Sequence, residues 1–330
     1  MVDRPPVELW SLRIFVEVAT TRSMTLAATR LGITQSAVSQ AIRKLEGELG
    51  STLVLRGSRP VVLTSAGALL ELEAESLLRS ASRLRELLHS ATNGLLQDVR
   101  LGFVDTFAST AGPELIRALT HQASRVVVWS GLAPSLGAAL AARDVDAIIT
   151  SDPLYDFDGL RRLALWKEPF VLLLPRTAEP RTARPSLDQL AASSPLIRYS
   201  ARSHTGSQIE RHLRRLRIEA ERRVEVDGSD ALLAMVAAGI GWAITTPLCI
   251  LQASAHMPGV LPLHLPPPGL NRTLSLVVRD DSPASLVERL ASAARDVLRE
   301  TCLPRLRQLI PAFTASITIG EVATKHLETT

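Results

Sequence analysis

Apolar residues return at helical spacing from early in the chain. In residues 8–19, ELWSLRIFVEVA, the positions Leu9, Leu12, Ile14, Phe15 and Val18 share one face of a 3.6-residue period, which predicts an amphipathic helix. Ser23 then reads as the N-cap of MTLAATRL and Gly32 as its stop. Thr34 reads as the cap of a second helix, QSAVSQAIRKLEGEL, with Ala37, Val38, Ala41, Ile42 and Leu45 turned inward. Two helices joined by a tight glycine-containing turn form a helix-turn-helix pattern. Short β-prone runs, Leu53 to Leu55 and Val61 to Leu63, flank Gly57-Ser58-Arg59-Pro60 and predict a hairpin, or wing, that carries Arg56 and Arg59. Thr64 or Ser65 opens a long helix running to about Ala91. In it Leu70, Ala74, Leu77, Ala81, Leu84 and Leu88 alternate at spacings of four and three, the pattern of a coiled-coil seam between two copies, although a lone amphipathic helix packing on its own domain gives the same spacing.

The rhythm changes near Val99. Strand-like runs (VRLGFV, RVVVWS, VDAIIT) alternate with helix-like ones (GPELIRALTHQA, PSLGAALAAR), and a second set follows from PFVLLLP to GWAITTP. This alternation predicts two α/β lobes with parallel strands and helices on their faces. The segment LPPPGLNRTLSLVVRD returns the chain to the first lobe, and ASLVERLASAARDVLRE closes it. The expected division is a winged helix-turn-helix over 1–64 and a linker helix over 65–92. A two-lobed domain follows over 97–312, with lobe I at 97–166 and 262–302 and lobe II at 167–261. The weakly periodic tail, 313–330, is expected to be partly disordered.

Composition narrows the function. A chain of 330 residues exceeds what one core serves, which fits this division. Between Arg22 and Arg59 stand six basic residues and two acidic ones, an excess of four that equals the formal charge of the whole chain. Such a local excess favours phosphate contact by counterion release. The N-terminus of the second helix, with Thr34, Gln35 and Ser36, offers free amides to phosphate. Gln35, Ser39 and Gln40 suit base edges in a major groove, while Arg43 and Lys44 suit phosphate or guanine. The competing reading leaves these residues as the solvated face of a helical bundle. The two cysteines, Cys249 and Cys302, fit a reducing compartment and read as small buried hydrophobes, not a disulfide framework. The start of the chain shows no secretory pattern, and no run approaches the roughly 18 apolar residues of a membrane span, so a soluble cytoplasmic protein is expected.

The stretch SMTLAATRLGITQSAVSQAIRKLEGELGSTLVLRGSRPVVLTSAG resembles the amino-terminal domain of the LysR-type transcriptional regulators. The likeness is dense from Leu9 to about Gly67. Val54 stands where the family usually carries Phe, and Ser36 where Pro is common. The resemblance implies a DNA-binding regulator with a dimerising linker helix and a periplasmic-binding-protein-like effector domain. It further implies binding to promoter DNA as a dimer or tetramer and contact with RNA polymerase.

In open α/β lobes ligands sit outside the carboxyl ends of the strands. Here those ends place Asp105, Thr106, Phe107, Ser130, Thr150 and Thr245 at a cleft. By the resemblance, Thr106 often touches effector, and Arg202, Ser203, His204 and Thr205 match the cleft-lining loop of lobe II. Hydroxyls, amides and an arginine suit a carboxylate, whereas Asp105 opposes an anion beside it. No nucleophile elbow, phosphate loop or zinc-protease motif occurs, so no catalytic residues, metal or cofactor are expected. A solute-binding protein or small-molecule enzyme with a helical extension remains the rival reading, as does a regulator without an effector.

Overall fold

A computed structural model describes residues 7–55, 58, 60–93, 96–121, 123–177 and 185–320. Contacts divide the chain into two compact units, Met1–Gly94 and Leu95–Thr330.

The first unit holds helices α1 (Leu9–Thr21), α2 (Met24–Leu31), α3 (Gln35–Leu49) and α4 (Ser65–Asn93). The caps fall where the sequence places them. Ser23 accepts the amide of Leu26, Thr34 accepts that of Ala37, and Gly32 ends α2 at φ 68°, a left-handed geometry that glycine enters without strain. The core packs Phe15 and Val18 against Ile42 and Leu45. Fully burying an aliphatic or aromatic side chain of this size contributes about 1.5–3 kcal/mol, so these few residues hold α1 and α3 together. Among the described residues the wing forms one antiparallel bridge, Val54 to Leu63, with the amide of Leu55 donating to Val62. Its tip residues Arg56, Gly57 and Arg59 lie outside the described residues.

The expected seam on α4 is corrected in its first half. Ala74 is fully buried in the unit's own core, and Leu70 packs against the same cluster. The reason is that α1 packs along α4 and takes that face. Leu77 is 52% exposed and Ala81 is half-buried. The side chains of Leu84 and Leu88 lie outside the described residues.

The second unit begins with β1 (Leu96–Phe103), α5 (Asp105–Thr110), α6 (Gly112–Thr120), β2 (Ala123–Ser130), α7 (Ala133–Ala141) and β3 (Ala147–Thr150). Strand β4 (Leu160–Pro169) leads out to the second lobe. That lobe comprises β5 (Val171–Pro175), α8 (Leu187–Ser193), β6 (Leu196–Tyr199), α9 (His204–Arg215), β7 (Val224–Val226), α10 (Ser229–Ala237), β8 (Trp242–Thr245), α11 (Pro247–Gln252) and β9 (Val260–His264). The chain returns through β10 (Asn271–Arg279), α12 (Ala284–Val297), a π-helical turn at Leu298–Cys302, α13 (Leu303–Leu309) and β11 (Thr318–Ile319).

Among the described residues the first sheet has the order β11-β4-β10-β3-β1-β2 and the second β7-β6-β8-β5-β9. The expectation of parallel strands holds for β1 with β2 and β3, and for β6 with β7 and β8. It fails for β4, β5, β9 and β10, whose pairings are antiparallel. These are the strands that carry the chain out to the second lobe and back, so outgoing and returning segments lie side by side in opposite directions. The tail expectation is also corrected up to Gly320. Phe313 is buried, and β11 pairs with β4 through Thr318–Lys167 and Ile319–Trp166. Residues 321–330 lie outside the description.

Candidate functional site

Two surfaces carry the residues singled out in the sequence. On α3 the inner side is Val38, Ile42 and Leu45, and the opposite side exposes Gln35, Ser36, Gln40, Arg43 and Lys44, with Ser39 half-buried. Thr34 is exposed but engaged, because its hydroxyl caps the helix and lies 2.9 Å from the Ser36 hydroxyl. The Lys44 ammonium sits 3.0 Å from Glu8 and 3.7 Å from Glu48, and the hydrogen bond to Glu8 raises its pKa. Glu46 is turned away from this surface. Its Oε1 accepts the amides of Leu53 and Val54 and fastens the wing to α3. The local basic excess is smaller than the stretch 22–59 suggests. Arg22 faces Glu71 at 3.6 Å and Arg30 faces Glu17 at 3.0 Å, two acids outside that stretch.

In the second unit a cavity of about 330 Å³ opens between the lobes at the carboxyl ends of β1, β2, β3, β6 and β7. Asp105, Thr106, Ser130, Ser203, His204 and Thr205 line it, as the sequence predicts. The first turn of α9, which carries His204 and Thr205, is seated by Gly206. A Cβ there would lie 2.6 Å from the Ser200 carbonyl and 3.0 Å from the Tyr199 Cβ. Four predicted residues do not line the cavity. Phe107 is on the buried face of α5, its ring edge-on to Phe103 at 5.1 Å, because the chain turns helical directly after β1. Thr150 is buried beneath the neighbouring loop and accepts the amide of Asp152. Thr245 is buried behind Tyr199 and lies 2.7 Å from its hydroxyl. Arg202 is exposed and pairs at 2.8 Å with Asp227, which does line the cavity.

The sequence reading missed several lining residues, chief among them Tyr199, Ser229, Cys249 and Arg272. Tyr199 is the last residue of β6. Burial raises the phenol pKa well above its ordinary value, so it is a neutral donor to Ser229. Cys249 is buried, as expected, but it faces the cavity, 3.5 Å from Arg272 Nη1 and 3.7 Å from the Thr106 hydroxyl. Burial pushes its thiol up, yet Arg272 and neighbouring hydroxyls outweigh this and bring it below its ordinary range. Cys302, by contrast, is pushed up to about 11 by burial.

The lobes touch across the cavity. His204 Nδ1 lies 3.2 Å from Asp152, and the Gln252 side-chain amide donates to Asp105. Burial lowers the His204 pKa. Asp152 raises it, Arg211 and Arg272 lower it, and the net direction is down. A neutral imidazole donating from Nδ1 to Asp152 satisfies both partners. The N-cap residues of α5, α7 and α10 are Val104, Leu132 and Gly228, which line the cavity and provide no capping side chain. Helix N-termini carry partial positive charge and unpaired amides, which favour negative groups.

Comparison with known proteins agrees with this geometry. Residues 9–68 match the bacterial regulatory helix-turn-helix protein family, lysR type, and residues 92–302 match the LysR substrate binding domain. The HTH-type transcriptional regulator YfeR of Shigella flexneri is 30% identical over 88% of this chain and 93% of its own length. A probable hydrogen peroxide-inducible genes activator of Mycobacterium avium is 32% identical over half of this chain, a match spanning 53% of that relative. A full-length OxyR variant from Pseudomonas aeruginosa shares the fold at TM-score 0.66, with 23% identity over 90% of this chain and 98% of that one. CbnR in complex with its target DNA shares it at TM-score 0.61, with 21% identity over 88% and 99%. The two curated relatives are named as a transcriptional regulator and a genes activator, which disfavours the solute-binding and enzyme readings. The chain belongs to the LysR family of DNA-binding transcriptional regulators with an effector-binding domain.

Proposed function

We propose that this regulator reads a small anionic effector, a carboxylate, in the interlobe cavity and changes its hold on promoter DNA in response. The observation that carries the reading is the cavity itself. The ends of three helices without capping side chains, a ring of hydroxyls and one buried arginine surround a space that suits a small acid. The carboxylate of Asp105 does not stand against this, since it is exposed and satisfied by Gln252 at the mouth. Bound ligand favours one lobe arrangement only through its differential affinity for the two.

Promoter DNA is met by the outer face of α3, through Gln35, Ser36, Ser39, Gln40, Arg43 and Lys44, with Arg56 and Arg59 of the wing on the adjoining backbone. The protein works in the cytoplasm as a dimer or a dimer of dimers, joined in part through α4, with RNA polymerase as the downstream partner. Among the described residues no helix is long and apolar enough to cross a membrane.

The test is fluorescence anisotropy of the full chain on a fragment of its own promoter, with and without small carboxylates. Binding at low ionic strength is expected to fall linearly in log affinity with log salt. A carboxylate at about 100 times its Kd is expected to stabilise the native state by about 2.7 kcal/mol and to shift the anisotropy curve. A folded sample that ignores its promoter at low salt would refute the DNA assignment. A carboxylate panel that shifts neither melting nor anisotropy would refute the effector assignment.

A further inference from the structure

We infer that the anionic group of the effector is received by the Nη1 edge of Arg272, with Glu168 as the internal counter-ion it partly replaces, so that occupancy is read on the strands joining the two lobes. This rests on the proposed carboxylate reading and names where the charge is read.

Glu168 and Arg272 stand opposite each other in the β4–β10 ladder. Arg272 is 2% exposed and Glu168 not at all. One edge of the guanidinium is committed, since Glu168 Oε1 accepts from Nε at 2.9 Å and from Nη2 at 2.5 Å. The other carboxylate oxygen is committed as well, accepting the amide of Leu248 at 2.9 Å in the first turn of α11. Among the described residues the remaining edge, Nη1, has only the Thr205 hydroxyl and the Cys249 thiol, each at 3.5 Å and neither a strong acceptor. The guanidinium is planar and carries five donors in a fixed fork. Holding Nε and Nη2 therefore fixes the direction in which Nη1 points.

Arg272 lines the cavity while Glu168 does not. The cavity thus meets the weakly satisfied side of a cation whose strong partner lies behind it. The field of that cation already reaches the cavity, as the lowered Cys249 thiol records. An incoming carboxylate gains a charge-assisted hydrogen bond by replacing Thr205 and Cys249, and it competes with Glu168 for the same charge. The pair sits at the place where the chain changes sheets. Pro169 pairs with Asn271 and the amide of Phe170 donates to Leu270, after which β5 belongs to the second sheet. A ligand that draws on Arg272 therefore acts on both joining strands at once.

The experiment measures, by calorimetry on the full chain, the Kd of acetate, benzoate and succinate against their shape-matched neutral amides acetamide, benzamide and succinamide. Removing Arg272 alone would strand a buried carboxylate, so the informative variant is Glu168→Leu with Arg272→Met, because replacing a buried pair by apolar residues of similar volume tends to preserve the fold. The wild type is expected to favour at least one carboxylate over its amide by roughly tenfold. The double variant, its fold reported by circular dichroism and its melting curve, is expected to lose the preference to within about twofold, whatever the change in absolute affinity. Glu168→Gln removes the internal competitor and is expected to raise the carboxylate preference several-fold, about threefold or more, with amides unmoved. A preference that survives in the double variant overturns this inference and leaves the proposed effector class standing. A preference that falls in Glu168→Gln overturns the counter-ion role. A wild type that favours none of the carboxylates at about 20 mM overturns both readings.

Discussion

His204 shows how one side chain joins local chemistry to the stability of a domain. Its imidazole bridges from α9 to Asp152 of the other lobe, while burial, Arg211 and Arg272 disfavour its charged form and Asp152 favours it. The folded pKa is thus below the ordinary 6.5 of an unfolded histidine. Between those two values the unfolded chain binds the extra proton, so stability is lost as pH falls from about 6.5 toward the folded value and then levels off. Melting curves of the wild type and His204→Asn between pH 8 and 5 are expected to converge at the acid end, the variant having the shallower slope. His212, whose pKa burial also lowers, remains in both proteins and cancels from the difference. Parallel curves would show that His204 contributes nothing to this slope. His204 was legible in the sequence through the resemblance of its loop to the cleft-lining loop of the LysR family. Arg272 was not, since it sits two residues into a strand whose neighbours gave no hint that its side chain reaches a cavity formed by distant segments. Arg202 came from the same resemblance, but its charge is paired with Asp227 and its side chain does not line the cavity.

Among the elements, α3 was the most legible, because its cap, period and length agree. Its outer face yields a graded expectation. Arg43→Ala is expected to weaken promoter binding and to reduce the magnitude of the log–log salt slope by about 1, the loss of one phosphate contact. Lys44→Ala should change both by less, since its ammonium is already held between Glu8 and Glu48. Anisotropy titrations at several salt concentrations separate the two, and equal losses would contradict the assignment of Lys44. The elements that escaped the sequence reading share a physical cause. Helices α5 and α11 have six residues each, too few for a period to emerge. In β4, LRRLALWKEP, the charged residues Arg161, Arg162, Lys167 and Glu168 break the apolar run. Glu168 is buried there because Arg272 waits opposite, a partnership that single-strand patterning does not register.

At the scale of the whole molecule, the hydrophobic clusters of the two units share no residue. Separate cores predict separate melting. Scanning calorimetry of the full chain is expected to resolve two transitions. Phe15→Ala, which removes a fully buried ring from the first unit at a cost of about 3–5 kcal/mol, should lower one of them. A bound carboxylate should raise only the other. If Phe15→Ala lowers both equally, the units unfold as one. This division was visible as a change of rhythm near Val99, whereas the antiparallel joining strands were not, because they depend on where the chain returns and not on local spacing.

The short strand β11 has a practical consequence. It lies against β4, with Thr318 opposite Lys167, next to the buried Glu168. It also covers an edge of the first sheet that would otherwise be open. An affinity handle or fluorescent protein fused close behind Gly320 would therefore pull on β4, one of the strands joining the two lobes, and a reporter built that way would register its own tether. Such cargo belongs on the amino-terminal side, or behind a slack spacer.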